Sequence, residues 1–208
     1  MGLAISVGCP SLGDEEGEAS YAADCARVSA ALAAEGIIWS EPGDPPPYDA
    51  ERPHLSSFSY SFLRYLCRAY ALQWDDQPVT PATSSADLDA AEGIISDAIS
   101  MLSSHLLCHS DCDGYYVPAD FDDPLFLDQS LPGAGMIGSS QGLRRELVRI
   151  APAIGVRLAE DGSLDDDEAT RLAKVAEADP FGIEQTVWLT LYEASRVSIA
   201  HGNAIIFH

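Results

Sequence analysis

The feature that most constrains this chain is a stretch of 75 residues, 69–143, that contains no lysine or arginine. The same stretch contains twelve aspartate and glutamate residues. Carboxylates without cationic neighbours are normally solvated, so the stretch predicts an acidic face. The whole chain of 208 residues has a formal net charge of −22, which disfavours nucleic acid and anionic lipid and favours cationic partners or metal ions.

Two explanations of the acidity remain open. It is either a solvated surface typical of a salt-rich habitat, since Lys174 is the single lysine, or a surface for a basic protein partner. The second explanation is favoured here, as an acidic binding protein and in concrete form an immunity-like inhibitor of a basic partner. The predicted contacts are the aspartates that follow the middle of the stretch and two neighbouring tyrosines: Asp111, Asp113, Asp120, Asp122, Asp123, Tyr115 and Tyr116.

Hydrophobic spacing predicts an α+β fold in one domain, 1–208, with a small mixed sheet packed against about six helices. The opening segment predicts strand, helix and strand, at 3–8, 15–35 and 37–39. Further helices are expected at 56–74, from 87, after Ser139 or Ser140, after Ser163 and at 183–199. Further strands are expected at 115–117, 155–158 and 204–207. Proline and small polar residues predict a Pro-rich loop at 41–48 and a second loop at 77–85.

The five cysteines are odd in number and irregularly spaced, which is typical of reduced thiols in a cytoplasmic protein. No apolar run approaches the roughly 18 residues that cross a bilayer. We therefore expect a cytoplasmic protein that binds neither membrane nor nucleic acid.

The densest group of metal-binding side chains lies at 105–113. His105, Cys108 and His109 carry imidazole and thiolate donors, which are the usual ligands of zinc. One straight helix cannot place four such ligands around one ion, and a strand would turn Cys108 away from both histidines. A metal-dependent enzyme or metal site is the alternative function; a pocket for an organic ligand or partner and a buried polar network also remain open.

A glycine motif precedes the predicted helix at 139–140. Residues 133–138 match G-x-G-x-x-G, but Leu131 and Pro132 stand where a dinucleotide-binding fold needs a strand. A dinucleotide site is therefore not expected. Ser139 and Ser140 could still bind an anion, because a helix start presents free N–H groups.

Residues 105–121, HLLCHSDCDGYYVPADF, followed by Gly138-Ser139-Ser140, resemble a group of uncharacterised bacterial proteins of similar length. The opening LAISVG and the segment EGIIWSEP extend the resemblance along most of the chain. This group implies no activity and no catalytic residue. The chain also resembles small acidic immunity proteins, in size, charge and cytoplasmic character alone.

Overall fold

The computed structural model describes residues 2–8, 15–46 and 56–208. In these ranges the chain forms a six-stranded mixed sheet and eight α-helices, which confirms the α+β class and the single domain. The strands are β1 (Gly2–Val7), β2 (Ser57–Ser59), β3 (Gly114–Val117), β4 (Leu125–Phe126), β5 (Met136–Ser139) and β6 (Ile205–Phe207). The helices are α1 (Glu15–Ala34), α2 (Tyr60–Trp74), α3 (Ser85–Ala90), α4 (Glu92–Ser100), α5 (His105–Cys108), α6 (Ser140–Ile150), α7 (Asp166–Leu172) and α8 (Gly182–His201).

The sheet has the strand order β2-β1-β6-β3-β5-β4. β3 and β5 are parallel, whereas β6 runs antiparallel to both β1 and β3. Tyr115 of β3 is aligned with Ile137 on one side and Ile206 on the other. The carboxyl ends of β3 and β5 therefore meet at one edge of the sheet, and the segments that precede them meet at the opposite edge.

Helices cover both faces of the sheet. On one face, α1 buries a row at i, i+4, i+7 and i+11 against Tyr115, Val117 and Ile137; the row is Tyr21, Cys25, Val28 and Leu32. On the other face, α2, α6 and α8 pack around Tyr116 and the fully buried Trp188. The Trp188 indole N–H donates to the Leu147 carbonyl at 2.7 Å, which joins α8 to α6. No helix in the described ranges is long and apolar enough to cross a membrane.

The predicted strand at 37–39 is wrong. The Ile37 N–H instead donates to the Leu32 carbonyl and closes α1, while the Trp39 indole N–H donates to the Gly202 carbonyl. The place beside β1 is occupied by β2, which the sequence assigned to the start of a helix. The segment therefore becomes a loop, and Ile38 is 96% exposed.

The predicted strand at 155–158 is also wrong, because its N–H groups bond outside any sheet. The Val156 N–H donates to the Ala151 carbonyl, and the Arg157 N–H donates to the Glu168 carboxylate. The glycine-rich segment, in contrast, contains β5, which hydrophobic spacing did not indicate.

Both predicted loops are held by single buried or half-buried side chains. Residues 41–46 form no helix or strand, and the Glu41 carboxylate accepts from the Asn203 side chain and the Ala204 N–H. Residues 47–48 lie outside the described ranges. The second loop ends at Ser84, where α3 begins, and buried Arg68 donates to the Thr80 carbonyl across it.

Candidate partner-binding surface

The segment 105–109 forms the single buried helical turn α5 followed by His109. It is therefore neither part of a longer helix nor a strand. Glu146 of α6 reaches its start, where Oε1 accepts from the His105 N–H at 2.8 Å and Oε2 accepts from the Leu106 N–H at 2.7 Å. The Ser104 hydroxyl accepts from the Leu107 N–H and donates to Glu146. Burial raises the pKa of Glu146 to about 7, although these donors favour its ionised form. Glu146 thus supplies acceptors that a helix start normally lacks.

Both histidine rings make structural contacts, although His109 Nε2 is buried without a hydrogen-bond partner among the described residues. His105 Nδ1 accepts from the Ser139 N–H, so Nε2 carries the proton and donates to the Asp122 carbonyl. His109 donates from Nδ1 to the Ser110 carbonyl and stacks on Tyr116 at a centroid distance of 4.1 Å. Burial lowers the pKa of both rings, that of His109 to about 4. Both are therefore neutral at physiological pH.

The described residues do not bring the predicted metal ligands His105, Cys108 and His109 together around one point. Within residues 2–8, 15–46 and 56–208, no group of three or more histidine, cysteine, aspartate or glutamate side chains could hold a metal ion. The Cys108 thiol points to the Ile99 carbonyl at 3.8 Å, and each imidazole faces main-chain groups. Of the three interpretations of this segment, the buried polar network describes its contacts.

Four of the predicted binding residues lie in the interior. Tyr115 packs on Tyr21, and the Tyr116 hydroxyl donates to the His105 carbonyl at 2.9 Å. Ser139 caps α6 by accepting from the Gly142 N–H, and the Ser140 hydroxyl bonds the Ser198 hydroxyl at 2.7 Å. All are buried, so a macromolecular partner cannot reach them, and the helix start at Ser139 is already occupied by protein groups.

The five predicted aspartates are all exposed, and they form two groups separated by β3. Asp111 and Asp113 precede the strand, where the Asp113 carboxylate accepts from the Gly133 N–H ahead of β5. Asp120, Asp122 and Asp123 follow it, at the edge where α6 begins. The hydrogen bonds to Ser110 and Gly133 lower the pKa of Asp113 against the effect of its partial burial.

Helices α3 and α4 carry further exposed carboxylates. These belong to the acidic stretch 69–143 but were not among the predicted contact residues. Arg64 of α2 contacts two of them, Glu92 at 2.8 Å and Asp89 at 3.8 Å, so these helices present acids beside α2. α4 leads directly to α5, where the Cys108 thiol contacts the Ile99 carbonyl. We call the exposed carboxylates of α3, α4 and loops 110–113 and 119–123 the acidic surface: Asp89, Glu92, Asp97, Asp111, Asp113, Asp120, Asp122 and Asp123.

Cationic side chains in the described ranges are largely used within the chain. Arg145 pairs with Asp120 at 2.6 Å, and both Arg157 and Arg171 pair with the buried Glu168. Arg27, Arg64 and Arg196 pair with carboxylates close to them. Among the described residues, most carboxylates of the acidic surface therefore have no cation paired with them, and they face solvent.

Comparison with known proteins identifies a family for the whole chain. Residues 1–207 match the model of a family described as "Putative DNA-mimic protein". The chain belongs to this family. No curated protein and no solved structure matches the chain.

Membership of the DNA-mimic family corrects both functions inferred from the sequence. The family description names neither an immunity-like inhibitor of a basic partner nor a metal-dependent enzyme. The partner expectation is corrected too, because net charge suggested only a basic protein, whereas DNA mimicry concerns proteins that bind DNA. The resemblance to an uncharacterised family is confirmed in so far as one family model covers the chain, and the likeness to immunity proteins is not confirmed.

Proposed function

We propose that this chain binds the DNA-binding surface of a protein partner in place of DNA, and so competes with DNA for it. The observation that carries the proposal is the membership of a DNA-mimic family together with an acidic surface that the described cationic side chains leave largely unpaired. A DNA-binding protein recognises its ligand chiefly through phosphates, and most of its affinity depends on their negative charge.

The spacing of the two aspartate groups supports the proposal. β3 has four residues, and at about 3.3 Å per residue it separates Asp113 from the loop after Val117 by at least ~13 Å. The major groove of DNA is about 12 Å wide and is bordered by phosphates on both sides. A cationic surface adapted to that groove could therefore contact both groups at once.

The proposal places the encounter in the cytoplasm, where a bacterial protein meets DNA-binding proteins. In the described ranges Cys67, Cys108 and Cys112 are free thiols, in keeping with a reducing compartment.

The first experiment is displacement from DNA. DNA-binding proteins of the producing cell are loaded on immobilised duplex DNA, the purified chain is applied, and the eluted proteins are identified. Each eluted protein is then purified, and its binding to the chain is measured with and without competing duplex DNA. We expect competition with DNA and an affinity that falls steeply with salt. Binding of chain and duplex to the same protein at once would refute the proposal.

A charge variant with a matched control tests the surface itself. D111N/D122N/D123N removes three carboxylates that hold no turn or ion pair in the described part of the chain. E35Q/E160Q/E177Q removes three exposed carboxylates elsewhere and has the same net charge. We expect the first variant to bind about tenfold more weakly with a shallower salt dependence, because each interface charge contributes a fraction of a kcal/mol to about 1 kcal/mol. Equal losses in both variants would show that net charge alone acts.

A further inference from the structure

Three apolar side chains at the end of α4 are exposed close to Asp97, which belongs to the acidic surface. Ile99 is 37% exposed, Met101 61% and Leu102 50%. Large apolar side chains grouped on a surface are characteristic of sites that contact another molecule. We call residues 99–102 the apolar turn.

The apolar turn is held in place at both ends. Ala98 is buried, and the Met101 and Leu102 N–H groups donate to the carbonyls of Ala98 and Ile99. Two residues later, Ser104 caps α5, which Glu146 holds against α6. The Cys108 thiol also donates to the Ile99 carbonyl. The side chains are therefore exposed on a fixed segment of backbone.

The backbone of the apolar turn is unfavourable for its residue. Leu102 has a φ of 54°, in the left-handed region where a Cβ is disfavoured. Glycine or asparagine would adopt this conformation more readily. The turn therefore combines an unfavourable backbone at Leu102 with large apolar side chains that are partly exposed to solvent. Such a combination is typical of a segment retained for binding.

The charges around the apolar turn indicate what covers it. Asp97 precedes it on α4, and Asp111 follows α5, whose Cys108 contacts the turn. Arg64, on the neighbouring α2, is paired with Glu92, and Arg145 is paired with Asp120. A matching surface needs an apolar pocket with cationic side chains around it.

We infer that the apolar turn is the central anchor of the interface, and that Met101 and Leu102 enter the apolar pocket in which a DNA-binding partner receives thymine methyl groups. This inference rests on the proposed function. Thymine presents a methyl group in the major groove between the two rows of phosphates, and proteins contact it with apolar side chains. Anchors of this kind sit at interface centres with charges around them.

The test uses a DNA-binding protein eluted in the displacement experiment as the probe. M101S/L102S removes both apolar side chains, and I38S removes an isoleucine that is 96% exposed on the loop after α1. Circular dichroism and thermal unfolding of both variants should match the wild type. We expect M101S/L102S to bind at least about tenfold more weakly at every salt concentration, because apolar burial is lost while the charges remain. I38S should bind like the wild type.

The outcomes separate the inference from the proposed function. If the wild type displaces the probe from DNA and M101S/L102S does so equally well, the anchor is refuted and DNA mimicry stands. If the wild type displaces no DNA-bound protein, both the anchor and the proposed function fail.

A second copy of the chain is the other possible occupant of the apolar turn. Sedimentation at high salt would detect it, and a dimer that M101S/L102S converts to monomer would overturn the inference.

Discussion

Replacing Glu146 with alanine should destabilise the protein more than any loss of a surface carboxylate. Glu146 is half-buried and accepts from three donors, two of them the N–H groups of His105 and Leu106 at 2.8 and 2.7 Å. The third donor is the Ser104 hydroxyl at 3.2 Å. Alanine would leave all three without their protein acceptor.

The magnitude follows from the donors. A buried donor left unsatisfied costs about 1–3 kcal/mol, and here the hydroxyl can rotate and water can reach the half-buried site. We therefore expect E146A to lower the free energy of unfolding by about 2–4 kcal/mol. For a chain of this length that corresponds to a fall in Tm of roughly 5–15 °C. E146Q, which keeps one oxygen, should fall between E146A and the wild type.

Urea unfolding followed by tryptophan fluorescence measures this loss, since Trp188 is fully buried in the core that α6 and α8 share. E160A is the matched control, because Glu160 is exposed, and it should change stability by less than about 0.5 kcal/mol. Amide hydrogen exchange at His105 and Leu106 should quicken in E146A. A loss no larger than that of E160A, with unchanged exchange at these amides, would refute this account of α5.

Three further variants test other contacts. Arg171 and Arg157 hold the pKa of buried Glu168 at about 2, so this pairing stabilises the fold above pH 4.5 and its contribution disappears as the pH falls through 2. E168Q should therefore lose roughly 2 kcal/mol of unfolding free energy at pH 7. Urea titrations at falling pH should show the stability difference between E168Q and the wild type shrinking. In G138A the new Cβ would overlap the Tyr116 ring, and calorimetry should show a loss of roughly 3 kcal/mol, whereas an unchanged Tm would contradict the packing. Exposed Ala134 has a φ of 52°, so A134G should gain about 0.5 kcal/mol in urea unfolding, and a loss would be evidence against backbone strain there.

Long periodic segments and exposed acids could be predicted from the sequence because each depends on local rules. α1 and α2 repeat apolar residues with the helical period. The five predicted aspartates are exposed because a carboxylate is rarely buried without a partner. Neither prediction required knowledge of the neighbouring elements.

The buried members of the predicted site could not be recognised in the same way. Ser140 is buried because Ser198, 58 residues away, offers its hydroxyl. His105 is neutral because burial lowers its pKa and because its Nδ1 accepts from the Ser139 N–H. Glu146 carried no signal in the sequence, since an acid in the middle of an amphipathic helix is ordinary. The sequence contained only a weak indication that Leu102 is exposed, namely its position directly before two serines.

Gly138 shows why a motif needs its surroundings. It ends the G-x-G-x-x-G match, yet the Tyr116 ring fills the space where its side chain would be. Close packing between β3 and β5, and not a phosphate, explains this glycine. The same glycine explains why β5 was not predicted from the sequence, because a glycine interrupts the apolar pattern that indicates a strand.

Two consecutive residues of α6 hold the loops on either side of β3. Arg145 binds Asp120, and Glu146 fixes the start of α5, from which the chain continues to Asp111 and Asp113. One rigid helix therefore sets the distance between the two aspartate groups before any partner arrives. Binding would order few side chains or loops and would lose little conformational entropy, so a modest number of contacts could give a long-lived complex.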